Sequence, residues 1–343
     1  MKKALITGGC GFIGSNLAIK LIKQGWEVDV VDNLTSGKLE NLDCTKTRVF
    51  RTSSGLYNET TDIIAGEKER EENCVYVAIS DYTERYIAML IFEGSYDVIF
   101  HMAAKPSVQY SVKYPLMSTK ENIVKTMQLL ASANLRKTTV IFSSSAAVYG
   151  NGEFDPESGY TETSAKLPSN PYAWQKSSIE DYARIAKELY SQQIVSLRYF
   201  NVYGQKQHGD SAYSTVVSAW CNAIKNGLPC RFDGTGGQTR DMIHVDDVVA
   251  ANILVANSKD DLSGKIFNIG TGKSISNKEI MSKLKEITED TGNKIVFENV
   301  PERKGDTKHS LANVEKAREV LGFEAQVSFD DGLEKTLKWW GIL

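Results

Sequence analysis

The sequence predicts an α/β protein: a doubly wound parallel sheet followed by a smaller α/β unit. Three observations predict it. Apolar runs alternate with helix-periodic segments five times within the first 150 residues, which calls for a parallel sheet with helices on both faces. The first run, Ala4-Leu5-Ile6-Thr7, ends in Gly8, Gly11 and Gly14, and an apolar-periodic segment (Leu17, Leu21, Ile22) follows. A second run, Val28-Asp29-Val30-Val31, ends in Asp32, eighteen residues past Gly14.

Strand, tight turn and helix are the reading of residues 4–22. Gly8 lets the chain turn, Gly11 clears the approach of a pyrophosphate to the backbone, and Gly14 lets the helix pack close to the strand. The helix start then offers free N–H groups and a partial positive charge to phosphates. Asp32 stands where a carboxylate would hold an adenosine ribose. Without its context the glycine triplet would be only a Gly-rich turn. The strand before it, the helix after it and the acid at the next strand's end make it a dinucleotide site.

Thr35-Ser36-Gly37 is a turn cluster beside that ribose. Residues 43–75 are polar and carry the charge run Glu67 to Glu72, which suits a solvated helix or an excursion. Val75 to Ile79 reads as a strand, Tyr82 to Phe92 as a helix, and Asp97 to Met102 as a strand ending in Ala103-Ala104-Lys105. A long periodic helix lies within 114–134. Thr138 to Phe142 is a strand running into Ser143-Ser144-Ser145. Pro171 opens a helix reaching Tyr190, and Ile194 to Phe200 is the next strand. The pattern then changes, with helices near 215–225, 246–257, 276–289 and 314–321. This places a dinucleotide-binding unit at 1–205 and a mainly substrate-binding unit at 206–343, with some exchange of elements between them. Asp246-Asp247 reads as a cap and dipole match, and Trp339-Trp340 as packing or interface surface.

Composition narrows the class. Hydrophobic residues make up 41% of 343 and charged residues 24%, ordinary for a globular chain with a sizeable core. A net charge of −3 argues against a nucleic-acid partner. The five cysteines, with no CxxC pair, fit free thiols in a reducing, cytoplasmic setting. The four histidines lack metal-ligand spacing, so no metal is expected. The N-terminus reads as the first strand rather than a signal peptide, and no membrane span is expected.

Tyr172 and Lys176 stand four apart and share a helix face. A phenol's ordinary pKa near 10 is too high for a neutral-pH base, but a neighbouring ammonium favours the phenolate. Such a tyrosine can take a proton from a substrate hydroxyl as hydride leaves the same carbon. Ser145 would bridge the substrate oxygen to the phenolate. Tyr-x-x-x-Lys alone occurs by chance on surface helices; behind a dinucleotide fold and a strand-end serine cluster it carries weight.

These residues resemble the extended short-chain dehydrogenase/reductases, in particular the NAD-dependent nucleotide-sugar epimerases, over nearly the whole chain. The resemblance rests on residues 7–14, Asp32-Asn33-Leu34, His101 to Ala104, residues 143–150, residues 172–176, Arg198 to Gly204, Arg240-Asp241 and Arg303 to Asp306. It implies a Rossmann domain holding NAD. Gly8, Gly11, Phe12, Ile13, Gly14, Asp32, Asn33, Ser36 and Gly37 would hold the adenosine half, with Ile79 a further cofactor contact. Ala103, Ala104, Lys105, Asn122, Tyr172, Lys176 and Tyr199 would hold the nicotinamide half. Ser145, Tyr172 and Lys176 would be catalytic. A UDP-sugar would meet Lys105, Ser107, Ser145, Tyr172, Asn201, Phe232, Arg240, Arg303, Asp306 and Ser310. The resemblance also implies a homodimer through paired helices.

Within that family, dehydratases carry Asp-Glu after the catalytic hydroxyl, and decarboxylating members also carry an acid there. Ala146 and Ala147 occupy those places here and cannot move protons. That favours oxidation and re-reduction at one carbon, as in a 4-epimerase. Asp32 favours NAD over NADP, because a carboxylate repels a 2′-phosphate. Ser310, four residues after Asp306, is small enough to admit an N-acetyl group beside C2 of the sugar. Two departures stand out. Ala78 occupies the family's adenine-contacting aspartate position, and residues 51–73 look longer than usual, as a lid, an interface or a passive excursion. The alternatives are a nucleotide-sugar 4-ketoreductase or dehydrogenase, an epimerase of another nucleotide sugar, and a catalytically silent nucleotide-binding scaffold.

Overall fold

A computed structural model describes residues 1–51, 70–134, 138–209, 215–289, 295–301 and 308–343. Its strands are β1 (Lys3–Thr7), β2 (Glu27–Asp32), β3 (Lys46–Arg51), β4 (Cys74–Ile79), β5 (Val98–His101), β6 (Thr139–Ser145), β7 (Ile194–Tyr199), β8 (Asn201–Tyr203), β9 (Cys230–Asp233), β10 (Thr239–His244), β11 (Ile266–Ile269), β12 (Ser274–Ser276) and β13 (Phe297–Val300). Eight of them form one sheet in the order β11-β7-β6-β5-β1-β2-β4-β3, with every neighbouring pair parallel. The chain starts at β1 in the middle, builds outward through β2, then returns to the other side of β1 at β5. Ligands of such sheets sit where the order reverses, at the strands' carboxyl ends.

Strand alternation explains why the runs read as continuously apolar. Ala4, Ile6, Val28 and Val30 face one core with Leu17, Leu21, Val248 and Val249. Those come from helices α1 (Phe12–Lys23) and Val245–Asn257. Leu5, Val31 and Val140 face a second core with Ile87, Leu90, Leu129, Ile179 and Ala183. That face is covered by α2 (Arg85–Phe92), a helical stretch within 115–134, and Pro171–Tyr190. α3 (Val108–Lys113) comes just before this stretch, which comprises α4 (Pro115–Thr119), a π turn at Lys120–Val124 and α5 (Lys125–Asn134). We number Pro171–Tyr190 as α6. Asn170 starts it by accepting the Ala173 N–H at 3.0 Å, Pro171 occupies the first turn, and Ser191 ends it in left-handed conformation.

The smaller lobe follows. It contains the β8-β10-β12 sheet, the β9-β13 pair, and helices α7 (Val216–Lys225), α9 (Asn277–Thr288) and α11 (Phe329–Trp340), whereas α8 (Val245–Asn257) and α10 (Glu315–Leu321) pack into the large sheet's core. Residues 245–269 return to the large sheet, with α8 on its face and β11 at its edge, so chain order and space part company there. Buried Asp241 ties this lobe together. Its carboxylate accepts the Thr271 N–H at 2.8 Å, the Gly272 N–H at 3.0 Å and the Ala312 N–H at 3.1 Å. Asp246 and Asp247 stand in the first turn of α8; Asp246 pairs with Lys335, and Asp247 accepts the N–H groups of Gln326 and Val327.

Two features depart from the sequence reading. Residues 46–51 form an edge strand, β3, that Val49 and Phe50 alone did not signal. Residues 329–340 form a helix that buries Trp340 in the small lobe's core and leaves Trp339 partly exposed. The expected excursion lies largely outside the described residues, at 52–69. Among the described residues, no helix is long and apolar enough to cross a membrane.

Candidate active site

The carboxyl ends of the central strands open on one cavity. Gly8, Gly11, Phe12, Ile13, Gly14, Asp32, Asn33, Ser36, Ala103, Ala104, Lys105, Tyr172, Lys176 and Tyr199 all line it. Thus segments spread over nearly 200 residues of chain meet at one place.

The glycine turn fits a pyrophosphate for reasons of space. Gly8 has φ +69°, and a Cβ there would stand 2.8 Å from the Ala103 backbone. A Cβ at Gly14 would stand 2.4 Å from the Gly8 carbonyl. At Gly11 it would meet only that carbonyl, at 3.1 Å, so the other side is open. Gly11 begins α1 without a side-chain cap and no acid stands in the first turn. The helix end therefore keeps its donors and its positive pole.

Asp32 accepts the Leu34 N–H at 2.8 Å and the Cys10 N–H at 3.0 Å. Burial pushes its carboxyl pKa up, against those two bonds and the Lys105 charge. Gly37 borders this carboxylate: a Cβ there would lie 2.7 Å from Asp32 Oδ2. Lys105 reaches across the cavity to Thr35, with Nζ donating to Oγ1 at 2.8 Å. Ile79 pairs with Asp32 in the sheet, outside the cavity lining. Ala78 is buried in the core, and the polar groups toward that end come from Asn33, Ser80 and Glu121. These residues fit a dinucleotide cofactor.

At the other end, the Tyr172 phenol faces the Ser145 side chain. Ser145 Oγ also accepts the Ala147 N–H at 3.2 Å. Lys176 donates from Nζ to the Ser143 carbonyl at 2.6 Å. Its Nζ lies 4.6 Å from the Phe142 ring centroid and 5.8 Å from that of Tyr172. Burial pushes the Lys176 ammonium down to about 7, opposed by the Glu180 charge. The Tyr172 phenol sits deep enough that burial pushes it up to about 12, opposed by the Ser145 side chain. The expected lowering of Tyr172 by Lys176 is therefore not a property of the protein alone. Burial is the dominant influence on the phenol, because desolvation penalises the phenolate.

Several of the expected contact residues have partners within the protein. Asn122 lies beside the cavity and holds its wall. Its Oδ1 accepts the Lys105 N–H at 2.7 Å, and its Nδ2 donates to Gln175 Oε1 at 2.7 Å. Ser107 caps α3, accepting the Tyr110 N–H at 2.7 Å. Asn201, Phe232, Arg240 and Ser310 do not line the cavity. The alternation of β9 turns Cys230 and Phe232 inward, and the Phe232 ring packs between Trp220 and Phe297. Phe232 thus belongs to the aromatic cluster of the small lobe. Arg240 Nη1 donates to the Thr239 carbonyl at 2.9 Å, and Ser310 is buried with its N–H on the same carbonyl at 3.1 Å. Arg303 and Asp306 lie outside the described residues. Thr35, from the turn cluster, also lines the cavity, as do Ser80, Tyr82, Glu121, Gln207 and His208, whose own sequence neighbourhoods carry no signal for it.

A glycine-cradled dinucleotide cavity ending in Ser145, Tyr172 and Lys176 defines a cofactor-dependent enzyme that oxidises and reduces a hydroxyl-bearing carbon. The family model described as NAD dependent epimerase/dehydratase family matches residues 4–270. The chain belongs to that family, and is an NAD-dependent enzyme of the nucleotide-sugar epimerase/dehydratase type. It is 32% identical over 341 residues to a UDP-glucose 4-epimerase of Mycolicibacterium smegmatis, covering 98% of each chain. It is 31% identical to a UDP-N-acetyl-alpha-D-glucosaminuronate decarboxylase of Bacillus cytotoxicus, covering 98% of this chain and 97% of that one. Its structure superposes with TM-score 0.83 and 33% identity on the UDP-N-acetylglucosamine 4-epimerase of Methanobrevibacter ruminantium, solved with UDP-N-acetylmuramic acid. That match covers 99% of this chain and 98% of the other.

Because a Cβ at Gly14 collides with the turn that faces the phosphates, Gly14→Ala is expected to weaken NAD binding at least about tenfold by calorimetry. Unchanged affinity would contradict the cradle described here.

Proposed function

We propose that the protein is a 4-epimerase of a UDP-sugar, interconverting UDP-N-acetylglucosamine and UDP-N-acetylgalactosamine, with UDP-glucose and UDP-galactose as further substrates. The observation that carries the reading is Tyr172 and Lys176 lining the cavity, with Ser145 against the phenol and Ala146 and Ala147 following it in the chain. That group can move the hydroxyl proton at one carbon, and the two alanines offer no acid or base for loss of water or carbon dioxide. The match to both epimerases and a decarboxylase makes this local chemistry the deciding feature.

NAD, when bound, supplies the hydride acceptor. Gly8, Gly11, Gly14 and the start of α1 would hold its phosphates, and Asp32 a ribose. With its own proton lost and the phenolate favoured by Lys176 and by the positive charge that bound NAD would add, Tyr172 would take the proton of the sugar's 4-hydroxyl as the C4 hydrogen leaves with its electron pair, so that C4 becomes a ketone. Ser145 bonds the same oxygen and keeps it aimed at the phenol. Lys176 supports the phenolate electrostatically. After the 4-keto sugar has turned its other face, C4 regains hydride and Tyr172 returns the proton. The resemblance implies that position 310 borders the sugar's C2 substituent, and a serine there would leave room for an N-acetyl group.

Exposed Val112, Leu116, Trp174, Ile185 and Leu189 lie on α3, α4 and α6, which pack against one another. We propose a homodimer through these helices. The five cysteines are free, which supports a cytoplasmic setting.

Proton NMR of the pure protein incubated with UDP-N-acetylglucosamine and, separately, UDP-glucose tests the assignment. The galacto isomer is expected from both, and Ser310→Tyr is expected to suppress the N-acetyl substrate at least tenfold relative to UDP-glucose. No conversion of either, with or without added NAD, would overturn the UDP-sugar reading. Sedimentation at micromolar concentration should show two copies, and Leu116→Glu one; a wild-type monomer would refute the dimer.

A further inference from the structure

Strand β6 ends in three consecutive serines, and only Ser145 has a part in the chemistry above. Helix α6 accounts for all three. Tyr172, Lys176 and Glu180 stand four residues apart and share one helix face. Tyr172 meets the Ser145 hydroxyl, Lys176 takes the Ser143 carbonyl at 2.6 Å, and Glu180 Oε1 accepts the Ser144 hydroxyl at 2.6 Å. One face of one helix therefore fixes three successive residues of the strand that carries Ser145.

Glu180 is 1% exposed and held from several sides. From β7, Arg198 donates through Nε to Oε1 and through Nη2 to Oε2, each at 2.8 Å. The second Arg198 fork arm donates to the Tyr149 hydroxyl at 2.8 Å, and Tyr149 donates to Asn268 at 2.6 Å. Lys166 lies 3.8 Å from Glu180 but bonds Asp181 at 2.5 Å. A buried ion pair of this kind is a poor source of stability, since apolar packing of equal volume does as well. Its connection to Ser144, one residue from Ser145 and one helical turn from Lys176, gives it a use that apolar packing cannot supply.

We infer that Glu180 is a positioning residue for the reaction: it fixes Ser144, and with it the aim of Ser145, and its charge sustains the Lys176 ammonium. The inference rests on the reading of Ser145, Tyr172 and Lys176 as the reacting group. The charges around Lys176 fit it. His101, from β5, is held down at about 3 by burial and by Lys176 itself, and so is neutral. Tyr172 is a protonated phenol in the protein alone. Arg198 and Lys166 are cations. Glu180 supplies the negative charge that favours the Lys176 ammonium.

Glu180→Gln keeps the shape and removes the charge. Without the carboxylate, Lys176 should lose its proton at lower pH, by about one unit. Nitrogen-adjacent 13C NMR of Lys176 reads this in the protein without substrate, with Lys176→Met assigning the signal. In the enzyme, kcat should fall about tenfold at unchanged KM, and the alkaline limb of the pH profile should move to lower pH. Ser144→Ala keeps the ion pair, so it should lower kcat severalfold and leave the limb in place. A folded Glu180→Gln protein with an unmoved Lys176 titration would overturn the electrostatic claim. Wild-type kcat in Ser144→Ala would overturn the positioning claim, and that variant serves even where Glu180→Gln fails to fold. If wild type turns over no nucleotide sugar, while Lys176 still shifts in Glu180→Gln, the reaction assignment fails and the charge coupling stands.

Discussion

An ammonium kept almost wholly out of water sets the terms for this structure. Lys176 is 4% exposed, and burial lowers its pKa to about 7. Such a group persists only where fixed partners replace its hydration. The Ser143 carbonyl and the Phe142 ring do so directly. Those partners exist because β6 stops at the cavity and α6 crosses its end. The position of α6 depends in turn on its Asn170 cap and on Ile179, Ala183 and Ala186 seated in the core under the sheet. A loss of packing far down α6 would thus be felt at the reacting end.

The parallel sheet does the rest of the assembly. Thr7, His101 and Phe142 stand in register at the ends of neighbouring strands. A buried chain of bonds links Thr7 to His101 at 2.7 Å and His101 to Thr126 at 2.9 Å, tying β1 and β5 to α5 behind the cavity. The glycine turn after β1 and the Ala103 segment after β5 thus share one support, to which the Ala103 N–H adds a bond to Thr7 Oγ1 at 3.2 Å. This arrangement suits a reaction that must return hydride to the carbon that gave it up.

The parts legible in the sequence are those whose constraint is local. Gly8 and Gly14 must be glycine because a Cβ would collide with backbone, and such positions leave a spacing that can be read. Tyr172 and Lys176 are bound by helix geometry. The illegible parts depend on distant partners. Asn122 spends its amide on Lys105 and Gln175, and Ser107 its hydroxyl on a cap, which no local pattern announces. The packing of Phe232 against Trp220 and Phe297 joins residues from three elements, and no local pattern shows it. β3 has only two apolar residues and is a strand because β4 lies beside it. Glu180 looked like any charge on a long helix, and only Arg198, eighteen residues on and in another element, reveals its burial.

The central claim is that one carbon is oxidised and reduced again, with the hydrogen never exchanged with water. Epimerisation of the UDP-sugar in heavy water, followed by NMR of the product, tests it most directly. The account predicts a galacto product with ordinary hydrogen at C4. Deuterium at C4 would show that the carbon-bound hydrogen leaves as a proton, and would contradict the account.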